Sequence, residues 1–388
     1  MWFCVLFLLT TTVFLIPLIP ALHEWYTKTD IDPLKIIQSH EGDIRYFART
    51  FRTFIESEIE ALIAKRGTVR SPDSYRMIAA DAVFTPSKKE YQRRITQQTL
   101  IAFGKLELPN GFVFMREIYG QQAVVGGSSN RFHCVLAEDN LFIGANSFVS
   151  RWVHARTIEV APGCRILGQL SADEDIILQP GCFFTRVHAP CVKFGYADFP
   201  FPADEVNVSR SFAHQQAIFR LLEYNTDAAG RCVIDGDLEF SDKCIWHGDL
   251  VVRGNLLIHP EVKIVGNIKA YGTLRVRNNV TINGSLVTDG SLVIARGCAI
   301  GGPVVAERQV DIDAGTTIGT AEKPTTVTAS IIRVASGAAV HGTLWAREQG
   351  TSLPALQFEL NFDNPIEALP LKTPATTLGA CRTCVGKW

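Results

Sequence analysis

The chain has almost no net charge. Its 38 lysines and arginines meet 39 aspartates and glutamates, leaving −1 at pH 7, which removes the electrostatic case for a nucleic-acid partner. It also lacks a cysteine framework: the ten cysteines are scattered, as reduced, buried thiols of a cytoplasmic protein would be. Cys381 and Cys384 form a CxxC pair without a second pair or histidines at matching spacing, so no metal site is expected there. "VVGGSSN" follows a strand-like run but has no lysine for a phosphate loop. His154, His188, His259 and His341 are the candidate bases, and none has a titratable neighbour in the sequence that would orient it. The densest acidic patch, Asp173 to Asp175, reads as a solvated corner. Neither catalytic residues nor a cofactor are expected.

What is present starts with "MWFCVLFLLTTTVFLIPLIPAL", 22 residues without a charged side chain. About 20 apolar residues suffice for a membrane-spanning helix. Lys28, Lys35, Arg45, Arg49 and Arg52 follow the segment and no basic residue precedes it, so the body of the chain should be cytoplasmic. Beyond it, Ile44, Phe47, Phe51, Phe54, Ile55, Ile59 and Leu62 recur at helical steps. They make an amphipathic helix, which can pack on its own domain or lie on the membrane or a partner.

The dominant signal is a repeat. Stepping by eighteen from Cys232 gives a column Gly236, Gly254, Gly272, Gly290, followed by Leu238, Leu256, Leu274, Leu292 and, two residues on, Phe240, Ile258, Val276, Ile294. A second face supplies Val262, Val280, Cys298 and Ile264, Ile282, Ile300, and a third Leu250, Ile268, Leu286, Val304. Two apolar residues spaced by two point the same way on a strand. Each unit therefore holds three short strands, and stacked units bury what one cannot: a three-sided β-solenoid, all-β, with about 18 residues per turn. The core is expected from Leu256, Ile258, Val262, Ile264, Leu274, Val276, Val280, Ile282, Leu292, Ile294 and Ile300. Outward columns such as Leu257, Arg275, Val293, Asp311 mix sign and polarity, so no carboxylate ladder of a polysaccharide-cleaving enzyme emerges. A weaker grid (Phe142, Val160, Leu178) precedes residue 190, and "TAEKPT" shifts the later turns by four.

Gly248-Asp249-Leu250, Gly254-Asn255-Leu256, Gly266-Asn267-Ile268, Gly272-Thr273-Leu274, Gly284-Ser285-Leu286 and Gly290-Ser291-Leu292 resemble the repeat of the bactofilins, polymer-forming bacterial cytoskeletal proteins. The resemblance implies a right-handed β-helix that self-associates without nucleotide and serves as a membrane-attached scaffold for envelope or polysaccharide machinery. The chain departs from that family in its apolar N-terminus, its second block and its large insertion. The alternative is a left-handed hexapeptide-type acyltransferase or a carbohydrate-binding solenoid.

The expected layout is a transmembrane helix at 1–22, a juxtamembrane helical region at 23–98 and a first solenoid block at 99–194. An insertion at 195–230, with a short helix near 215–222, precedes a second block at 231–346 and an irregular tail at 347–388. A solenoid's last rung is an open edge unless capped. Self-association is therefore expected at the C-terminal rung, through Val340 and Leu344. The expected partners are a second copy, the bacterial inner membrane and an envelope-assembly protein.

Overall fold

The computed structural model describes residues 2–16, 23, 43–63, 75–78, 81–195, 225–226, 230–355, 376–378 and 384–385. Contacts divide the chain into two units, 1–46 and 47–388. The first holds helix α1 (Trp2–Leu15). At about 1.5 Å per residue its 14 residues cover roughly 21 Å, short of the ~30 Å hydrocarbon core. Among the described residues no helix is long and apolar enough to cross a membrane. The expected span at 1–22 is thus unsupported as a continuous helix, and residues 17–22 lie outside the described ones.

The second unit is a β-solenoid of about 12 turns with ~18 residues per turn. It consists of two coils. In the first, three walls stack in parallel: Val113 on Arg131, Ile118 on Val135 and Val124 on Leu141 are partners one rung apart. This coil begins earlier than position 99. Tyr75 pairs with Thr99 and Ala82 with Leu106, so residues 75–83 form an extra rung. That rung is hard to read because helix α3 (Lys88–Arg93) interrupts it and lengthens the turn. Helix α2 (Tyr46–Ile63) precedes it.

In the second coil the eighteen-residue columns are ladder columns. Ile264, Ile282 and Ile300 are register partners, as are Leu256, Leu274 and Leu292. All eleven side chains expected in the core are no more than 2% exposed. The Gly-Asp/Asn motif has a visible cause at the corners. Asp237 Oδ1 accepts the Asn255 backbone N–H at 2.6 Å, and Asn255 Oδ1 in turn accepts that of Thr273 at 2.8 Å. A neighbouring corner repeats the device from Asp249 through Asn267 to Ser285. The glycines at these corners have two causes: Gly236 and Gly248 take positive φ, at 105° and 119°, whereas a Cβ on Gly284 would sit 2.1 Å from the Gly266 carbonyl oxygen. After the 320–324 loop the columns resume four residues late, with Ile318 on Val340.

The two coils meet at their C-terminal ends. The first coil's last strand, Phe183–Phe194, pairs antiparallel with the second coil's last strand, Ala339–Leu353. Val192 faces Val340 and Val187 faces Leu344, each fully buried. On the third wall, Gly181 donates to the Ser352 carbonyl and Ser352 to that of Cys182. Antiparallel pairing at such a joint fixes a relation of hand. Two coils of the same hand, set C-terminal face to C-terminal face, run in opposite senses around the shared axis, whereas coils of opposite hand would run parallel. Both coils therefore wind the same way. The apolar core is continuous across the joint.

This overturns the expectation of an open C-terminal rung: Val340 and Leu344 are not an edge, because the chain's own first coil occupies their hydrogen-bonding side. The tail differs too. Ala339–Leu353 extends the ladder past 346, and Thr376–Leu378 and Cys384–Val385 pair with Leu238–Phe240 and with Trp246–His247. Asn225–Thr226 pairs with the remaining wall of that rung, so all three walls at the second coil's far end carry an added strand. Gly195 lies at the joint and Asn225 at this far end. Residues 196–224, including the helix expected at 215–222, lie outside the described ones.

Candidate functional site

The outer face of the first coil carries a column that changes chemistry along its length. Met77, Ile101, Tyr119, Leu136, His154, Ser171, His188 and Thr343 are successive register partners. Its apolar part is covered by α2. Ile55 and Ala48 are buried, and Phe51, Phe54 and Ile59 pack on Ile101, Tyr119, Leu136 and Trp152. Phe51 meets Trp152 edge-on at 5.5 Å, and Arg52 pairs with Glu138 at 2.9 Å. The amphipathic helix spends its apolar stripe on its own domain.

Beyond the helix the column turns polar. His154 Nδ1 is 2.9 Å from Ser171 Oγ, its Nε2 is 3.4 Å from Asp173 Oδ2, and His188 Nδ1 is 2.9 Å from Thr343 Oγ1. Elsewhere, His259 Nε2 lies 2.5 Å from Glu239 Oε1 and its Nδ1 3.3 Å from Asp242 Oδ1. His341 Nδ1 donates to the Pro190 carbonyl at 3.0 Å. The expectation that no titratable group orients these histidines fails for His154 and His259. The reason is geometric: in this coil a separation of 17 to 20 residues is contact across one rung. The Asp-His-Ser trio still lacks the geometry of nucleophilic catalysis. Ser171 is 1% exposed, and its hydroxyl donates to the Val153 carbonyl at 3.4 Å.

The next column, on the adjoining edge of the wall, runs Glu117, Cys134, Trp152, Gln169, Arg186, Trp345. Where it crosses the joint it borders a groove of about 480 Å³, lined by Arg151, Leu167, Gln169, Arg186, Trp345 and Arg347 among others. Leu167 and Trp345 are about half exposed. The Arg186 guanidinium lies 5.2 Å from the Trp345 ring centre, a cation–π distance. Arg347 pairs with Glu307 at 3.1 Å and donates to Ser330 Oγ at 2.9 Å. An aromatic face beside planar guanidinium groups suits a sugar ring or a carboxylate. Sequence reading missed this groove because its two halves lie in different coils. Only the joint's register sets Arg186 beside Trp345.

Among the described residues the cysteines at 134, 164, 182, 191, 232, 244 and 298 are free thiols. Burial pushes Cys191 and Cys232 up to about 11 and Cys134 and Cys298 up to about 12, so these thiols are protonated at neutral pH. Cys381 lies outside the described residues, and Cys384 belongs to the short strand Cys384–Val385. No family model, curated protein or solved structure matches this chain, so the functional reading rests on the coils themselves.

Proposed function

We propose that the chain is a non-catalytic, membrane-attached scaffold of the bactofilin kind that organises envelope or polysaccharide machinery. The observation that carries this reading is the joint. End-to-end continuation of a solenoid ladder, the step by which such scaffolds are built from separate copies, is made here within one chain. Two coils sealed end to end make a platform, and their outer columns are where partners would dock. Helix α1 supports attachment: Trp2, Phe3, Leu6 and Phe7 are exposed apolar side chains, a surface that water disfavours and a bilayer accepts. On this reading the right hand that the bactofilin resemblance implies applies to both coils. The body is cytoplasmic, and pairing with a second copy uses a surface other than Val340 and Leu344. Fractionation of cells expressing the full chain, with and without residues 2–16, tests the reading. The full chain should sediment with the inner membrane and the truncated one should not. Equal distribution of the two, or acyl transfer by the purified chain, would overturn it.

A second reading, a carbohydrate-binding solenoid, is favoured by the Trp345–Arg186 groove. Acidic oligosaccharides should then quench the tryptophan fluorescence of the native chain but much less that of Trp345→Ala.

A further inference from the structure

Three donor atoms of different chemistry meet on the outer face of the first coil, where the wall bulges. Phe114 pairs with Phe132 and Glu117 with Cys134, so two residues on one strand, Met115 and Arg116, oppose His133 alone on the next. Phe132 and Val135 both enter the core, and the two residues between them, His133 and Cys134, stay outside it. His133 and Cys134, neighbours that an ordinary strand would send to opposite faces, thereby share a face with Glu117. A ring nitrogen, the thiol sulfur and a carboxylate oxygen from these three residues lie within 4.8 Å of one another.

We propose that Glu117, His133 and Cys134 form a three-ligand site for a divalent metal ion of the zinc class, with a fourth position open to solvent. The donor set is the nitrogen, sulfur and oxygen combination that zinc accepts, and three protein ligands with one open position is a recurrent zinc arrangement. Two ligands already have supporting contacts of the kind that orient metal ligands. Ser150 Oγ is 3.3 Å from His133 Nδ1, and Thr99 Oγ1 donates to Glu117 Oε2 at 3.3 Å. One side of the site is dry: Cys134 is 2% exposed and clusters with Trp152 and the α2 residue Phe51. Glu117 and His133 are half-buried and give the ion its way in. Binding exchanges the thiol proton for the ion and releases one proton to water. The inference is independent of the scaffold reading.

Cobalt(II), added to the full chain after chelator treatment, is the probe. A stoichiometric near-ultraviolet thiolate-to-cobalt band is expected, with the visible bands of a four-coordinate ion, and zinc should displace it. Cys134→Ser should abolish the band and Cys191→Ser should leave it. Because Cys134 is buried, the half-buried His133→Ala, with its circular dichroism unchanged, serves as the second variant and should weaken binding at least tenfold. No band, unchanged affinity in His133→Ala, or a band that survives Cys134→Ser and vanishes when Cys381 and Cys384 are replaced would each overturn the site.

Discussion

Gly284 shows how little freedom a stacked corner leaves. Its neighbour on the preceding rung is a backbone carbonyl that cannot rotate away, so Gly284→Ala should cost about 1–3 kcal/mol through overpacking. The solvent-facing neighbour Ser285→Ala should cost much less, and urea unfolding of both variants makes the comparison. Glu90 is a different kind of single-residue device. It closes the capping box at the start of α3, accepting from the Ser87 backbone N–H at 2.7 Å and from Arg76 at 2.8 Å. Burial pushes its carboxyl up, but the Ser87 and Arg76 hydrogen bonds outweigh that and hold it down at about 2. A carboxyl depressed in the folded state contributes stability that is complete above its ordinary value of 4.5 and is lost as pH falls toward 2. Glu90→Gln keeps a capping group without the charge. It should lower stability at pH 7 and flatten the acid limb of the stability–pH curve between about 4.5 and 2.

Helix α2 docks on the outer wall through its side chains. Ile55 is fully buried against the outer wall, and Ile55→Ala should cost about 2–5 kcal/mol of docking. The expected signature is faster amide exchange in Tyr46–Ile63 with the wall strands still protected; loss of protection in both would show that the helix is integral to the coil. How far such elements are legible in sequence depends on whether contact follows the period. The Leu256–Leu274–Leu292 and Ile264–Ile282–Ile300 columns could be read by counting, as could the four-residue slip before Val340, because in a coil the neighbour is always one turn away. The amphipathic stripe of α2 was equally plain, but not what it covers. The rung at Tyr75–Ile78 was hidden by the α3 excursion, and Thr376–Leu378 carries no glycine corner to announce it. Nothing periodic relates Val192 to Val340. The metal-ligand trio escaped for a related reason, since strict alternation along a strand would separate His133 from Cys134, and two outward residues stand between the core side chains Phe132 and Val135 instead.

Within residues 47–388, the joint makes one ladder of two coils. Val340→Lys would place an unpaired charge between Val192 and the core, at a cost of several kcal/mol. The two coils should then part: amide protection should fall across Phe183–Phe194 and Ala339–Leu353, and small-angle scattering should broaden, while far-ultraviolet dichroism keeps its β signature. Protection that survives the substitution would mean that the joint is not the weak plane of that ladder.

The joint also imposes an order of events on biosynthesis. The first coil is complete once Phe194 has left the ribosome, but the strand that covers its end finishes only at Leu353. At about 5–20 residues per second, the roughly 160 intervening residues take about 8–30 s to emerge. Throughout that interval the nascent first coil displays a bare ladder, and any other nascent copy on the same messenger offers an equally good second half. Newly made chains can therefore exchange halves, and dilution or slower initiation should favour the single-chain product.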